Sequence, residues 1–98
     1  MHKAITKEEL LELSNKQTTV KLVDIRSATE YLKNHIAESI NIPAEELQNS
    51  TKLFAGTDTI ICICNHGKER SQKAAETLYN LGFTHTFYLE GGTAGWFE

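Results

Sequence analysis

Cys64 closes the apolar run Ile60-Ile61-Cys62-Ile63-Cys64, and the polar stretch Asn65-His66-Gly67-Lys68-Glu69-Arg70-Ser71 follows it directly. The run reads as a buried strand, and the polar stretch as a short loop that feeds a helix. This layout puts a thiol at a strand end, at the mouth of a loop whose amides can converge on an anion. Helix dipole, loop amides and the Arg70 cation all favour the thiolate there. The thiolate is the nucleophilic form. The pattern points to cysteine chemistry on an anionic substrate, with Cys64 as nucleophile.

Each loop residue has an expected part. Gly67 permits a positive φ and lets the amides turn inward. Arg70 is suited to binding an oxyanion at two points. A cation in the first turn of a helix opposes the dipole, and that local cost favours a role as anion ligand. Lys68 is a second cation of the loop. Glu69 would repel an anion and is expected to point outward. Asn65, His66 and Ser71 complete the candidate substrate-binding loop. His66 also raises the idea of a Cys/His dyad, set against the expectation that loop side chains face solvent while amides face in. Asp24 and Arg26, just after an earlier strand, read as a pair supporting the loop.

Cys62 lies mid-strand between Ile61 and Ile63 and reads as core filler. Two residues apart on one strand, Cys62 and Cys64 share a face at about 6.5–7 Å, beyond easy disulfide reach. A metal site would need more ligands at regular spacing. His2, His35 and His85 are scattered, so neither a metal nor an organic cofactor is implied.

The elements that must position these residues alternate along the chain. Thr6-Lys7-Glu8-Glu9 reads as a capping box opening an amphipathic helix through Leu10, Leu11 and Leu13. Residues 20–25 read as a buried strand. Ser27-Ala28-Thr29-Glu30 is a second capping box, starting a short helix with Tyr31 and Leu32. Ile40-Asn41-Ile42 reads as a short strand, and Pro43 suits the first turn of a helix through Leu47. Residues 50–58 are turn-rich. A strand over 59–63 and a helix over 71–81 follow, the helix carrying Ala74, Ala75, Leu78 and Leu81 on one stripe. Gly82 and Phe83 read as its carboxyl-terminal cap, and Thr86–Leu89 as the last strand before Glu90-Gly91-Gly92. Trp96 is expected to close the core. Strands alternating with helices imply a parallel sheet covered by helices. Ligands of such sheets bind beyond the carboxyl ends of the strands. Asp24 and Arg26, Cys64, and Gly91 and Gly92 follow three such ends.

Ninety-eight residues are read as one domain, 1–98. The net charge of −3 argues against a general nucleic-acid or membrane-surface role. No apolar run approaches the roughly 20 residues that span a bilayer, and Met1–Thr6 carries no apolar signal region. A cytoplasmic protein with reduced cysteines is expected.

The blocks Leu22-Val23-Asp24-Ile25-Arg26 with Glu30-Tyr31, His35-Ile36 and Ile40-Asn41-Ile42-Pro43, then Cys64-Asn65-His66-Gly67 through Arg70-Ser71, then Leu89-Glu90-Gly91-Gly92-Thr93-Ala94-Gly95-Trp96, occur in order. Together they resemble the rhodanese homology domain over nearly the whole chain. The resemblance implies an α/β fold with a central, mostly parallel five-stranded sheet flanked by helices. It also implies a sulfurtransferase with Cys64 as persulfide carrier. A small anionic sulfur donor such as thiosulfate and a thiol or cyanide acceptor would be its partners, with a protein sulfur acceptor as a further class. One departure stands out. The common short-form loop, Cys-x-x-Gly-x-Arg-Ser, has four residues between cysteine and arginine, whereas five separate Cys64 and Arg70. The longer spacing is similar to that of rhodanese-fold phosphatases and arsenate reductases. Gly67, Ser71 and the Gly-Gly-x-x-x-Trp ending are similar to the sulfurtransferases. A phosphatase or arsenate reductase, and a non-catalytic regulatory module, are the alternative readings.

Overall fold

A computed structural model describes residues 3–16 and 19–98. Met1 and His2, part of the stretch read for a signal region, lie outside the described residues. Five strands form one sheet: β1 (Lys3–Ile5), β2 (Val20–Asp24), β3 (Ile40–Asn41), β4 (Thr59–Ile63) and β5 (Thr86–Leu89). Their order is β1-β5-β4-β2-β3, and every neighbouring pair is parallel. The helices are α1 (Lys7–Lys16), α2 (Ala28–Lys33), α3 (Glu69–Asn80) and α4 (Gly92–Trp96).

The local signals for these elements act as anticipated at both capping boxes. Thr6 and Glu9 exchange backbone-to-side-chain bonds at the start of α1, and Ser27 and Glu30 do the same before α2. At the end of α3, Gly82 takes a φ of 108°, and the Phe83 amide closes on the Leu78 carbonyl at 3.1 Å. This left-handed turn is one that glycine adopts without steric cost.

Several expectations are corrected. The helix read over 71–81 begins two residues earlier, at Glu69. Leu81 is its cap and is exposed, so the buried stripe is Ser71, Ala74, Ala75 and Leu78. Leu11 of α1 and Leu32 of α2 are also exposed. After Pro43 the chain winds as a 3₁₀ helix, Ala44–Asn49, with Pro43 just outside it. Part of the turn-rich stretch is another short 3₁₀ segment, Thr51–Leu53. Two elements carry no local signal. β1 has three residues and exists by pairing with β5. Helix α4 runs through two glycines. Trp96 is only partly buried, packed at the edge of the core, with the Lys7 ammonium 4.9 Å from its ring centroid and bonded to its carbonyl at 2.8 Å.

β4 is central, and both of its faces are covered. Ile60, Cys62 and Cys64 face one cluster with Ala74, Ala75, Leu78 and Phe83. Ile61 and Ile63 face the other with Ile5, Leu10, Ile36 and Leu89. This is the two-residue period of a strand buried on both sides. Ile60, Ile61 and Ile63 are 0% exposed, a burial that contributes about 1.5–3 kcal/mol per side chain. The strand is therefore firmly held, and the same alternation aims Cys64 at the face that carries α3. No helix among the described residues is long and apolar enough to cross a membrane.

Candidate active site

Cys64 leaves the carboxyl end of β4 and is buried, at 3% exposure. Its sulfur lies 3.2 Å from the Ser71 hydroxyl, and the backbone amides of Gly67, Lys68 and Ser71 hydrogen-bond to it. The Lys68 side chain gives no cap to α3. The sulfur therefore stands where a capping oxygen would, on amides that a helix start leaves without partners. Burial pushes the thiol up, but the Ser71 hydroxyl and these three amides outweigh it, and the group is held below its ordinary value.

The Ser71 hydroxyl has one hydrogen and two acceptors at the same distance, the Cys64 sulfur and the Lys68 carbonyl, each at 3.2 Å. With a thiol at Cys64, the S–H donates to the Ser71 oxygen and the hydroxyl donates to Lys68. With a thiolate, the hydroxyl turns to the sulfur. Either charge state leaves the buried hydroxyl bonded, so ionisation leaves no orphaned polar group.

The loop is fixed from behind by the β5–α4 turn. Gly67 has a φ of 67°, and a Cβ there would lie 2.5 Å from the Gly91 nitrogen and closer still to the Leu89 carbonyl oxygen. Gly92 has a φ of 59°, and a Cβ there would fall 2.6 Å from the Asn65 carbonyl oxygen. The amides of Thr93 and Ala94 donate to the carbonyls of Cys64 and Asn65, both at 2.9 Å. With these carbonyls turned outward to α4, the amides that follow are free to face the sulfur.

A polar network braces the other side. Asp24 is fully buried and accepts from Arg26 Nε at 3.0 Å and Nη2 at 2.8 Å. Arg26 also donates to the Asn34 carbonyl at 2.7 Å and to Asn65 Oδ1 at 2.9 Å. The Asp24 bonds first of all raise the Arg26 guanidinium further above its usual range, against the effect of burial, with the Glu30 and Cys64 charges adding to the rise. Asn65 Nδ2 donates to Glu30 Oε2 at 2.8 Å. Asn41 Nδ2 donates to the carbonyls of Asp24 and Arg26 at 3.0 and 2.9 Å.

The mouth is a cleft of about 340 Å³ lined by Cys64, Asn65, His66, Lys68, Glu69 and Arg70. A wider groove of about 740 Å³ lies at the amino-terminal ends of β1 and β5, between Lys3, Tyr79 and His85, with no cysteine in its lining. The structure brings Asp24, Arg26 and the whole 64–71 loop to one end of the sheet. Glu69 is exposed, as anticipated. His66 is exposed on the lining of the cleft, apart from the groups that hold the Cys64 sulfur. Arg70 stands at the rim of the cleft, its side chain 54% exposed and 3.9 Å from Glu30, while the groups holding the sulfur are Ser71 and the amides. Cys62 is buried beside Cys64 and is pushed up to about 12 by burial first and by the Cys64 charge second. Glu30, Asn34 and Asn41 were not anticipated in the network. Glu30 had two signals, its place in a capping box and in the first family-like block, and neither speaks of contact with the loop. Among the described residues no group of three or more His, Cys, Asp or Glu side chains is placed to hold a metal ion.

The family model for the rhodanese-like domain matches residues 6–98. The chain is 34% identical over 96 residues to the uncharacterized protein YibN of Escherichia coli K12, covering 96% of this chain and 66% of that protein. It thus spans just under two thirds of that relative's length. It is 30% identical over 96 residues to the thiosulfate sulfurtransferase GlpE of Coxiella burnetii, covering 98% of this chain and 88% of that protein. The crystal structure of a rhodanese-related protein from Thermoplasma volcanium matches with a TM-score of 0.83 at 32% identity, covering 98% of this chain and 91% of that one.

Proposed function

This chain belongs to the rhodanese-like domain family, and from that premise we propose that it is a sulfurtransferase, residues 1–98 acting as one domain. It would move a sulfane sulfur from a small anionic donor such as thiosulfate to a thiophilic acceptor, cyanide or a thiol, through a persulfide on Cys64. The observation that carries the reading is the Cys64 sulfur bonded by the Ser71 hydroxyl and three backbone amides at the floor of a small cleft. The name of the Coxiella relative, a thiosulfate sulfurtransferase, supports it.

The steps balance without an added oxidant or reductant. The Cys64 thiolate attacks the outer sulfur of thiosulfate, a new S–S bond forms, and the old one breaks. Sulfite leaves with the bonding pair. The negative charge now sits on the outer sulfur of the persulfide, one bond further into the cleft, where loop amides and the Lys68 and Arg70 cations stand. Cyanide then attacks that outer sulfur. Thiocyanate leaves and the Cys64 thiolate returns. Asp24 and Arg26 are supporting residues in this scheme, holding Asn65 and so the loop's first turn.

The test is intact-protein mass spectrometry after thiosulfate and then after cyanide. The reading expects a gain of one sulfur on Cys64 that cyanide erases and that is absent in Cys64→Ser. The five residues between Cys64 and Arg70 favour a second reading, oxyanion-ester or arsenate chemistry on the same thiolate. A reactive thiol that gains no sulfur but turns over an aryl phosphate or arsenate would replace the first reading with the second. An inert thiol would leave a non-catalytic module.

A further inference from the structure

Glu30 stands at the third position of α2, across the cleft from the loop. Its carboxylate has three partners. Oε1 accepts from the Ser27 amide and hydroxyl, both at 3.3 Å. Oε2 accepts from Asn65 Nδ2 at 2.8 Å. Oε1 also lies 3.9 Å from Arg70 Nη2. The first two partners need acceptors, one at each oxygen; a glutamine keeps an acceptor for Ser27 and gives up the bond from Asn65. The negative charge itself acts on Arg70 at the rim and, from further off, on Arg26.

That ion pair does little for stability, because its side chains are 54% and 33% exposed and solvent screens them. Its place is what matters. Arg70 is at the rim of the cleft that leads to Cys64, and an anion entering the cleft must share Arg70 with Glu30. Partial burial works against the Glu30 charge, but bonds from Ser27 and Asn65 and the Arg70 charge outweigh it, so the carboxyl is held below its usual range and is ionised at neutral pH.

We propose that Glu30 is a specificity-determining positioning residue, which ties Arg70 to the rim and sets how strongly the cleft draws anions to Cys64. This rests on the reading of Cys64 as a nucleophile toward an anionic donor. Its test does not need sulfur transfer. Iodoacetate and iodoacetamide alkylate the same thiolate, one as an anion and one neutral, so the ratio of their rates cancels the ionised fraction of Cys64 and reports the field at the mouth. In the full chain, Glu30→Gln is expected to raise the iodoacetate-to-iodoacetamide ratio about two- to fivefold, the range set by a half-exposed ion pair. The KM for thiosulfate should fall by a similar factor. In an Arg70→Ala background the same change should leave the ratio unmoved. An unchanged ratio in Glu30→Gln overturns the proposal, as does an equal rise when Arg70 is absent. If the ratios behave as expected but thiosulfate loads no sulfur onto Cys64, the sulfurtransferase reading fails and the role of Glu30 stands.

Discussion

At the scale of the residue, the chemistry of Cys64 depends on a contest between burial and hydrogen bonding, and Ser71 is the side chain that tips it. Ser71→Ala removes the hydroxyl and leaves the amides. The thiol should then titrate at a higher pH, because the charged form loses a donor while desolvation remains. The rate of alkylation by iodoacetamide, followed against pH, should shift toward alkaline pH and fall several-fold at neutrality. A profile that matches the wild type would show that the amides alone set the ionisation. The placement of Cys64 was readable from one short stretch, because a strand end, a glycine and a helix start are all local features. The role of Ser71 was readable only as membership of the loop. The redirection of Arg70 toward Glu30 was not readable, since the two residues are forty apart in sequence and meet only across the cleft.

At the scale of the element, α4 is the least anticipated part and the one the loop depends on. Its first residue, Gly92, is wedged against the carbonyls of Cys64 and Asn65, and the next two amides bond those carbonyls. Gly92→Ala combines a left-handed backbone with a clash against backbone atoms that cannot yield. It should cost at least about 1–3 kcal/mol in denaturant unfolding and also slow Cys64 alkylation by disturbing the amides. Gly56→Ala is the comparison, since nothing lies within 4 Å of its Cβ position and its φ is not positive. That change should be neutral or stabilising by up to about 1 kcal/mol. Equal losses in the two variants would remove the special role of Gly92. The strand-to-helix spacing around Cys64 was legible because periodicity is strong there. Helix α4 was not, because Gly92-Thr93-Ala94-Gly95 has no apolar period and is helical through tertiary bonds.

At the scale of the whole molecule, the two cysteines act with opposite sign on stability. Burial pushes the Cys62 thiol from its ordinary value up to about 12 in the fold. Its contribution is fully present below about 9 and is lost as pH rises toward 12, since only the unfolded chain ionises in that window. Cys64 is lowered in the fold, so its contribution is present above the ordinary thiol value and is lost as pH falls through the folded one. Cys62→Ala should be less stable than wild type at neutral pH, from the cavity it leaves. The gap in unfolding free energy should narrow as pH rises above about 9. A gap constant across that range would show that Cys62 does not carry the alkaline loss.

The sequence by itself determined the class of fold, four of the five strands, both capping boxes and the place of Cys64 at a strand end. Each of these rests on nearest neighbours or on a short period, which local physics decides. The tertiary structure decided the rest. The fifth strand, β1, is three residues that exist by pairing with β5. The loop takes its inward-facing amides from Gly67, packed on the backbone of Leu89, Gly91 and Gly92, and from Gly92, packed on the backbone of Cys64 and Asn65. Asp24 holds Arg26, Arg26 holds Asn65, and Glu30 holds both Asn65 and Arg70. These contacts join β2, α2 and the loop after β4, and only the folded sheet brings those three ends within hydrogen-bonding distance.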